Sequence, residues 1–403
     1  MEYTWRAWTK AMTAQELIEK AMRGEIKWFE AAARMGVSAR QLRRIKAAYD
    51  AAKGAQSLLD KRQQVPSPKR ATMAEVALLR DLYREKYMGF NVAHFHEIAE
   101  AEHGLKRSYT WVKRALQEGG LVALEPKRGK HRLRRERRPL AGMMLHIDGS
   151  THAWYGPGHP KMDLLGVMDD ATSEMYSLHL VEQESTLTCM TIIRDVIEKK
   201  GLFAELYADR GSHFWYTPKA GEGPSTTVVT QLGRALATCS IRLIAAMSPQ
   251  ARGRGERMWA TIQGRLPNEL RVAGITTQAE AQKYINEKFL PSLNRLVMVA
   301  STDSEYDAFT DAKHLPLGQI FCEHHARSVG KDNCVVYEKR NLQLVASKLR
   351  YTFAGQKVTI REAPSGELTV YYGEHLLGRY DAEGKLLEQP KHALNRPSNK
   401  QAA

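Results

Sequence analysis

A chain of 403 residues is longer than one ordinary core organises, so two to four domains are expected. Hydrophobic residues make up 43% and charged residues 26%, the balance of a globular chain, which argues against wholesale disorder. No run of 18 apolar residues occurs, which argues against a membrane-spanning helix, and the opening MEYTWRAWTK lacks the apolar stretch of a secretion signal. Against 45 Asp and Glu stand 60 Lys and Arg, a net charge of +15. Because the basic residues cluster, this charge points to a polyanionic partner, most simply nucleic acid. The four cysteines, Cys189, Cys239, Cys322 and Cys334, are scattered without a CxxC pair, as suits a reducing cytosolic compartment. The fragment Cys322, His324, His325, Cys334 matches no zinc-finger spacing.

Residues 14–50 read as three helices. The first covers about Ala14–Arg23 and the second about Lys27–Met35. A Gly36-Val37 turn then leads to Ser38, which with Gln41 forms an S-x-x-Q capping box at the start of the third. Leu42, Ile45 and Tyr49 keep helical spacing on one face, leaving Arg40, Gln41, Arg43, Arg44 and Lys46 outward. A short helix, a glycine turn and a capped basic helix form a helix-turn-helix signature, with this outward row as its DNA-reading face. Residues 56–72 read as a linker by their Ser and Pro content. A second helical unit follows, with helices over Met73–Tyr87 and Val92–His103 and a last one capped by Ser108 that leaves Lys113 and Arg114 outside. It allows a second helix-turn-helix. The run KRGKHRLRRERR carries Lys127, Arg128, Lys130, Arg132, Arg134, Arg135, Arg137 and Arg138. It cannot fold on itself at that charge density and suits the phosphates of a DNA backbone.

From Met143 the pattern changes to alternating strands and helices. Strands are expected over Met143–Asp148, Lys161–Met168, Met175–Val181, Phe203–Tyr207 and Ile241–Ala245. Helices are expected over Ser185–Lys199 and Thr227–Cys239, around Glu256, and after Thr277. Three strands followed by helix, strand, helix, strand, helix is the order of a ribonuclease-H-like mixed sheet. Asp148 and Asp209 each close an apolar run, and Glu256 lies in the first turns of a helix. Three carboxylates so placed suit a divalent-metal site. Moving a phosphodiester needs an activated oxygen nucleophile and a stabilised leaving oxygen, which two Mg²⁺ ions about 3.5–4 Å apart can supply. Such ions take hard oxygen ligands and keep several waters, so a few carboxylates suffice; Mn²⁺ could substitute. Asp163, Asp169 and Asp170 are rival carboxylates, the last two in an expected turn, and Glu222 rivals Glu256 from the Gly- and Pro-rich loop GEGPS. Gln263 shares the Glu256 face, and Arg252, Arg254 and Arg257 surround that helix as candidate phosphate contacts.

The segments LHIDGS, GVMDDATSEMYSL, LYADRGSHF, TQLGRAL and IRLIAAMSPQARGRGERMWATIQGRLPNELRVAGI together resemble the DDE transposase and integrase family, nearest to bacterial insertion-sequence transposases of the ISNCY type. The family pattern S-P-x-x-x-G-x-x-E is met by Ser248, Pro249, Gly253 and Glu256, with Arg257 following. The resemblance runs over nearly the whole chain. It implies a retroviral-integrase-like core, with Asp148, Asp209 and Glu256 as metal-binding catalytic triad. Asp209 and Glu256 stand 47 positions apart, more than in retroviral integrases, and the segment WYTPKAGEGPS accounts for the excess as an insertion.

Residues 297–333 read as an irregular connector. From Cys334 the strand signals VVYE, LQLVAS, KVTIRE, ELTVYY and HLLGRY suggest a small β-barrel, and residues 386–403 a disordered tail. The expected domains are thus 1–55, 73–122, 142–296 and 334–385, joined by the linker 56–72, the basic linker 123–141 and the connector 297–333. The expected activity is that of a DNA transposase. It would bind terminal inverted repeats of its element, cut to free a 3′-OH and transfer that end into target DNA. The partners would be double-stranded DNA and further copies of the chain, without membrane or small-molecule substrate, in the nucleoid of a bacterial cytoplasm. A metal-dependent nuclease that only cuts, and a DNA-binding regulator derived from a transposase, are the alternatives.

Overall fold

The structure is a computed structural model and describes residues 3–60, 70–124, 136–156, 158–217, 225, 228–246, 253–303 and 305–389. The chain divides into two compact units, Met1–Asp81 and Leu82–Ala403.

The first unit holds α1 (Trp5–Met22), α2 (Trp28–Arg34) and α3 (Ala39–Ala48). Leu17, Ile18, Ala21, Ala31, Ala32 and Leu42 form its small core. The first helix begins nine residues earlier than its apolar stripe suggested, because the Thr4 side chain accepts from the Ala7 amide and caps it there. At α3 the expected capping box is present: the Gln41 amide donates to Ser38 Oγ at 3.2 Å, and Gln41 Oε1 accepts from the Ser38 amide at 3.1 Å. Gly36, at φ +67°, makes the left-handed turn before it. The division between the units falls within α4 (Met73–Glu85).

The second unit opens with α5 (Val92–His103) and α6 (Tyr109–Glu118), started by Asn91 and Ser108 side chains that accept from the amides of His94 and Trp111. A mixed sheet follows, made of β1 (Met144–His152), β2 (Met162–Asp169), β3 (Met175–Val181), β4 (Glu205–Ala208) and β5 (Arg242–Ala245). Its order is β3-β2-β1-β4-β5. The first three strands pair antiparallel, and β4 and β5 run parallel to β1. This is a mixed sheet, as the alternation of strands and helices in the sequence predicts. One face is covered by α7 (Thr186–Lys200) and α8 (Gln231–Thr238), which bury Met190, Ile193, Ile197 and Leu236 against Leu145, Ile147, Leu165 and Val167. The other face is covered by α9 (Gly253–Gln263), α10 (Leu266–Val272), α11 (Gln278–Tyr284) and α12 (Leu290–Val297), joined by a wide turn over Ile285–Phe289. There Trp259, Ile262, Leu270 and Phe289 pack on Leu164, Met168, Leu178 and Leu180. Neighbouring residues of β2, Leu164 and Leu165, thus enter opposite cores, as strand alternation requires.

The helices before the core pack in the same unit as the sheet. Arg265 forks onto the Glu97 carboxylate of α5 at 2.7 and 3.0 Å, and His94 pairs with Glu269 at 3.0 Å. His94 is therefore a buried, paired histidine.

Beyond α13 (Leu317–Ile320) come β6 (Glu323–Ser328), β7 (Cys334–Tyr337), β8 (Arg340–Gln343), β9 (Lys357–Glu362), β10 (Leu368–Tyr372), β11 (His375–Tyr380) and β12 (Leu386–Glu388). The expected barrel is corrected here. Among the described residues the strands form an open sheet, β12-β11-β10-β9-β6, and a separate β7-β8 ribbon. The ribbon adds Val335, Tyr337 and Leu342 to the sheet's core without closing it. The sheet gains β6 from the EHHARS segment, inside what read as irregular connector. Gln231 of α8 fastens that strand, bonding the His324 carbonyl and amide at 2.7 and 3.0 Å.

Candidate active site

β1 continues four residues beyond Asp148, because β2 stays paired with it to His152. Asp148 is therefore inside the strand, not at its end. What ends near it is β4, which pairs with β1 only from Met144↔Glu205 to His146↔Tyr207. Carrying that register two residues further sets Asp209 opposite Asp148, so two adjacent parallel strands bring both carboxylates to one edge. Each has one oxygen fixed by local backbone. Asp148 Oδ1 accepts from the Gly149 amide at 3.0 Å, and Asp209 Oδ1 from the Gly211 amide at 2.8 Å.

Glu256 is exposed in the first turn of α9. That turn lies against Asp148: a Cβ built on Gly255 would stand 3.4 Å from Asp148 Oδ2. The far end of α9 is also tied to β1, through Gln263 Nε2 donating to Ser150 Oγ at 2.8 Å. The side chain expected to face DNA is here spent on the strand.

A fourth carboxylate, missed in the sequence, stands beside this edge. Glu184 follows β3, and its Oε2 would meet a Cβ on Gly149 at 2.6 Å. Burial raises its pKa, and the charges of Asp209 and Asp163 push the same way against the lowering effects of Cys189 and His213. The only local signal was a Glu one residue before the Ser185 helix cap.

The rivals separate cleanly. Asp169 and Asp170 are fully buried. Asp169 accepts from the amides of Gly142 and Thr172, each at 2.8 Å, so it holds a turn. Asp163 accepts from Thr151 Oγ1 at 2.5 Å and the Glu184 amide at 2.7 Å.

Among the expected DNA contacts, Arg40, Gln41, Arg43 and Arg44 are exposed along α3; on α6 Arg114 is exposed and Lys113 half-buried. Arg257 is exposed, with its Nε on the Gly253 carbonyl. Three arginines are engaged within the protein. Arg137 Nη1 donates to the carbonyls of Asp170 and Ala171, each at 3.0 Å, and to Ser173 Oγ at 2.8 Å. Arg138 pairs with Glu205 at 2.7 Å, and Arg254 pairs with Asp170. Lys127, Arg128, Lys130, Arg132, Arg134, Arg135 and Arg252 lie outside the described residues, as do Ser248, Pro249, the middle of WYTPKAGEGPS and the tail from residue 390.

The donor set here is all carboxylate, with one oxygen of each Asp held by a backbone amide, and carboxylate oxygens are the ligands that hard divalent cations take. Asp148, Asp209 and Glu256 do not close into a single-ion cage. Among the described residues the one set whose ligand atoms all lie within 4.8 Å of one another is Glu323, His325 and Glu362, in the C-terminal sheet. Glu362 is there already engaged by Tyr337 Oη at 2.5 Å and approached by Arg340 at 3.6 Å.

No family model matches the chain. In sequence it is similar to insertion-sequence transposases, as its motifs suggested. A protein described as "Putative transposase y4bF", from Sinorhizobium fredii (strain NBRC 101917 / NGR234), is 28% identical over 369 residues, covering 90% of this chain and 79% of that one. The "Transposase for insertion sequence IS1202" of Streptococcus pneumoniae is 26% identical over 256 residues, 54% of each chain. Among solved structures, the HTLV-2 integrase catalytic core domain in complex with magnesium (dimeric form) overlaps 38% of this chain and 91% of its own at 15% identity, TM-score 0.29. A chain of the simian T-cell lymphotropic virus intasome in complex with PP2A regulatory subunit B56 gamma overlaps 79% of this chain and 100% of its own at 12% identity, TM-score 0.32.

Proposed function

We propose that the protein is a DNA transposase that binds the terminal inverted repeats of its own mobile element and catalyses 3′-end cleavage and strand transfer. The observation that carries this reading is the meeting, at one sheet edge, of Asp148, Asp209 and the α9 turn that bears Glu256. Sequence similarity to named transposases over most of the chain supports it.

Asp148, Asp209 and Glu256 would together hold two Mg²⁺ ions, and Mn²⁺ could take their place. Bound there, the ions would supply an activated oxygen nucleophile and a stabilised leaving oxygen. The chain's own part is orientation. The Gly149 and Gly211 amides hold one oxygen of each Asp, and the last turn of α9 is tied to β1 through Gln263. No side-chain nucleophile is required, since water attacks in the first step and the freed 3′-OH in the second. In the first unit, α3 would enter the major groove as the recognition helix of a helix-turn-helix, with Arg40, Gln41, Arg43 and Arg44 facing bases and phosphates. Lys113, Arg114, Arg257 and, in the basic run, Lys127, Arg128, Lys130, Arg132, Arg134 and Arg135 would follow the backbone. Two element ends must be joined, so the working form would be a homodimer or larger assembly on DNA, in a bacterial cytoplasm. No described helix is long and apolar enough to cross a membrane.

The test is Mg²⁺-dependent cleavage and joining of the repeat DNA flanking the gene, using wild type, Asp148→Asn, Asp209→Asn and Glu256→Gln. Each variant is expected to lose at least about 100-fold in rate while still binding repeat DNA. Three variants as active as wild type would remove the triad. Nicks without joined product would leave a nuclease, and binding without cleavage a regulator.

A further inference from the structure

We propose that Asp170 is a positioning residue that locks the strand carrying Asp148 to the helix carrying Glu256. This rests on the transposase reading for its catalytic meaning, though not for its geometry. Asp170 lies in the turn between β2 and β3 and is fully buried. Its Oδ1 is shared between a histidine and an arginine from different elements. One is His146, with Nε2 at 2.9 Å; the other is the Arg254 guanidinium. His146 stands two residues before Asp148 on β1, on the same strand face. Arg254 stands two residues before Glu256 in the first turn of α9. The remaining groups of Asp170 anchor it in the sheet. Its Oδ2 accepts from the Arg138 amide at 2.8 Å, and its own amide donates to the Met144 carbonyl at 3.0 Å. Its carbonyl takes Arg137 at 3.0 Å and Arg254 at 3.3 Å.

A single carboxylate therefore references both halves of the site to one point. A buried carboxylate shared by two partners leaves little freedom, because a shift of either element would leave a buried polar group unpaired in a low-dielectric interior. The end of α9 is held separately by Gln263 on Ser150, so the Asp170–Arg254 pair is what fixes the beginning, where Glu256 sits. Arg254 works in this arrangement as a tether for the helix.

The experiment compares full-length Arg254→Gln, Arg254→Lys and Asp170→Asn with wild type by amide hydrogen exchange, thermal unfolding and steady-state cleavage. Arg254→Gln is the main variant because Asp170→Asn disturbs two partners at once and can fail to fold. Faster exchange is expected at the amides of residues 257–260, which bond back to the first turn, with β1–β3 unchanged. Turnover should fall on the order of 100-fold with KM for DNA within about twofold, since a misplacement near 1 Å has that cost. Arg254→Lys should recover part of both. Unchanged exchange in α9 would overturn the proposal. So would exchange rising uniformly through the core, or a raised KM with turnover intact, which would make Arg254 a phosphate contact. Glu256→Gln is run alongside: if it cleaves like wild type the transposase reading fails, while the exchange result still decides whether Asp170 holds the helix.

Discussion

At the scale of single residues, chemical type proved readable and orientation did not. Arg137, Arg138 and Arg254 sit in basic stretches that look made for phosphates, yet each closes a contact within the protein. Cys322 and His324 show the same gap. Their spacing offered no metal site, and the Cys322 thiol and His324 imidazole both lie near the Gln319 carbonyl, at 3.0 and 3.3 Å. Burial, with Arg234 and Arg361 close by, lowers the His324 pKa to about 4. An unfolded chain protonates such a group near pH 6.5. Between those values only the unfolded state binds the proton, so this contribution to stability is whole above about pH 6.5 and declines as pH falls toward 4. Thermal unfolding measured across that window should show a falling Tm, and His324→Gln should flatten the slope. Identical slopes in the two proteins would remove His324 as the cause.

At the scale of elements, α9 and its bed decide whether the site exists. Gly166 on β2 faces Asp148 across the ladder, and its φ is unremarkable; what it provides is space. A Cβ there would stand 2.6 Å from Met175 Cε and 3.3 Å from Trp259 Cη2. The methionine end can swing aside, but Trp259 is packed in the helical face of the core. Gly166→Ala should therefore cost about 1–3 kcal/mol in denaturant unfolding and lower cleavage by lifting α9 from the sheet. A variant with wild-type stability and activity would show that the helix seat is softer than the contacts imply. The helix caps were the most legible element signals, since Ser38 and Gln41 act within one turn. Strand length was less so. β1 runs to His152 because β2 holds it, which an apolar run ending at Asp148 could not reveal.

At the scale of the whole molecule, net charge and its clustering bear on association. With a charge of +15 and basic groups on α3, on α6 and in the run 127–138, binding to element-end DNA should depend steeply on salt. If six to ten phosphates are engaged, affinity should drop about 10³–10⁵-fold between about 50 and 200 mM salt. A titration series at rising salt measures this directly. A slope near zero would argue that the charge serves some other end.

Composition, helix starts and the alternation of strands with helices were determined by the sequence alone, because each is written in residues a few positions apart. The acidic character of the candidate site was equally plain, since Asp148, Asp209 and Glu256 all lie beside short-range structural signals. The tertiary structure alone decided which distant residues meet. The parallel pairing of β1 with β4 sets Asp209 beside Asp148, and the fold carries Glu184 to Gly149. Burial separates Asp169 and Asp170, which are fully buried, from the half-buried Asp148 and Asp209 and the exposed Glu256, although all share one chemistry. Barrel closure failed for the same reason. It needs the two edge strands β6 and β12, some sixty positions apart, to pair with each other, and no local pattern encodes a contact of that range.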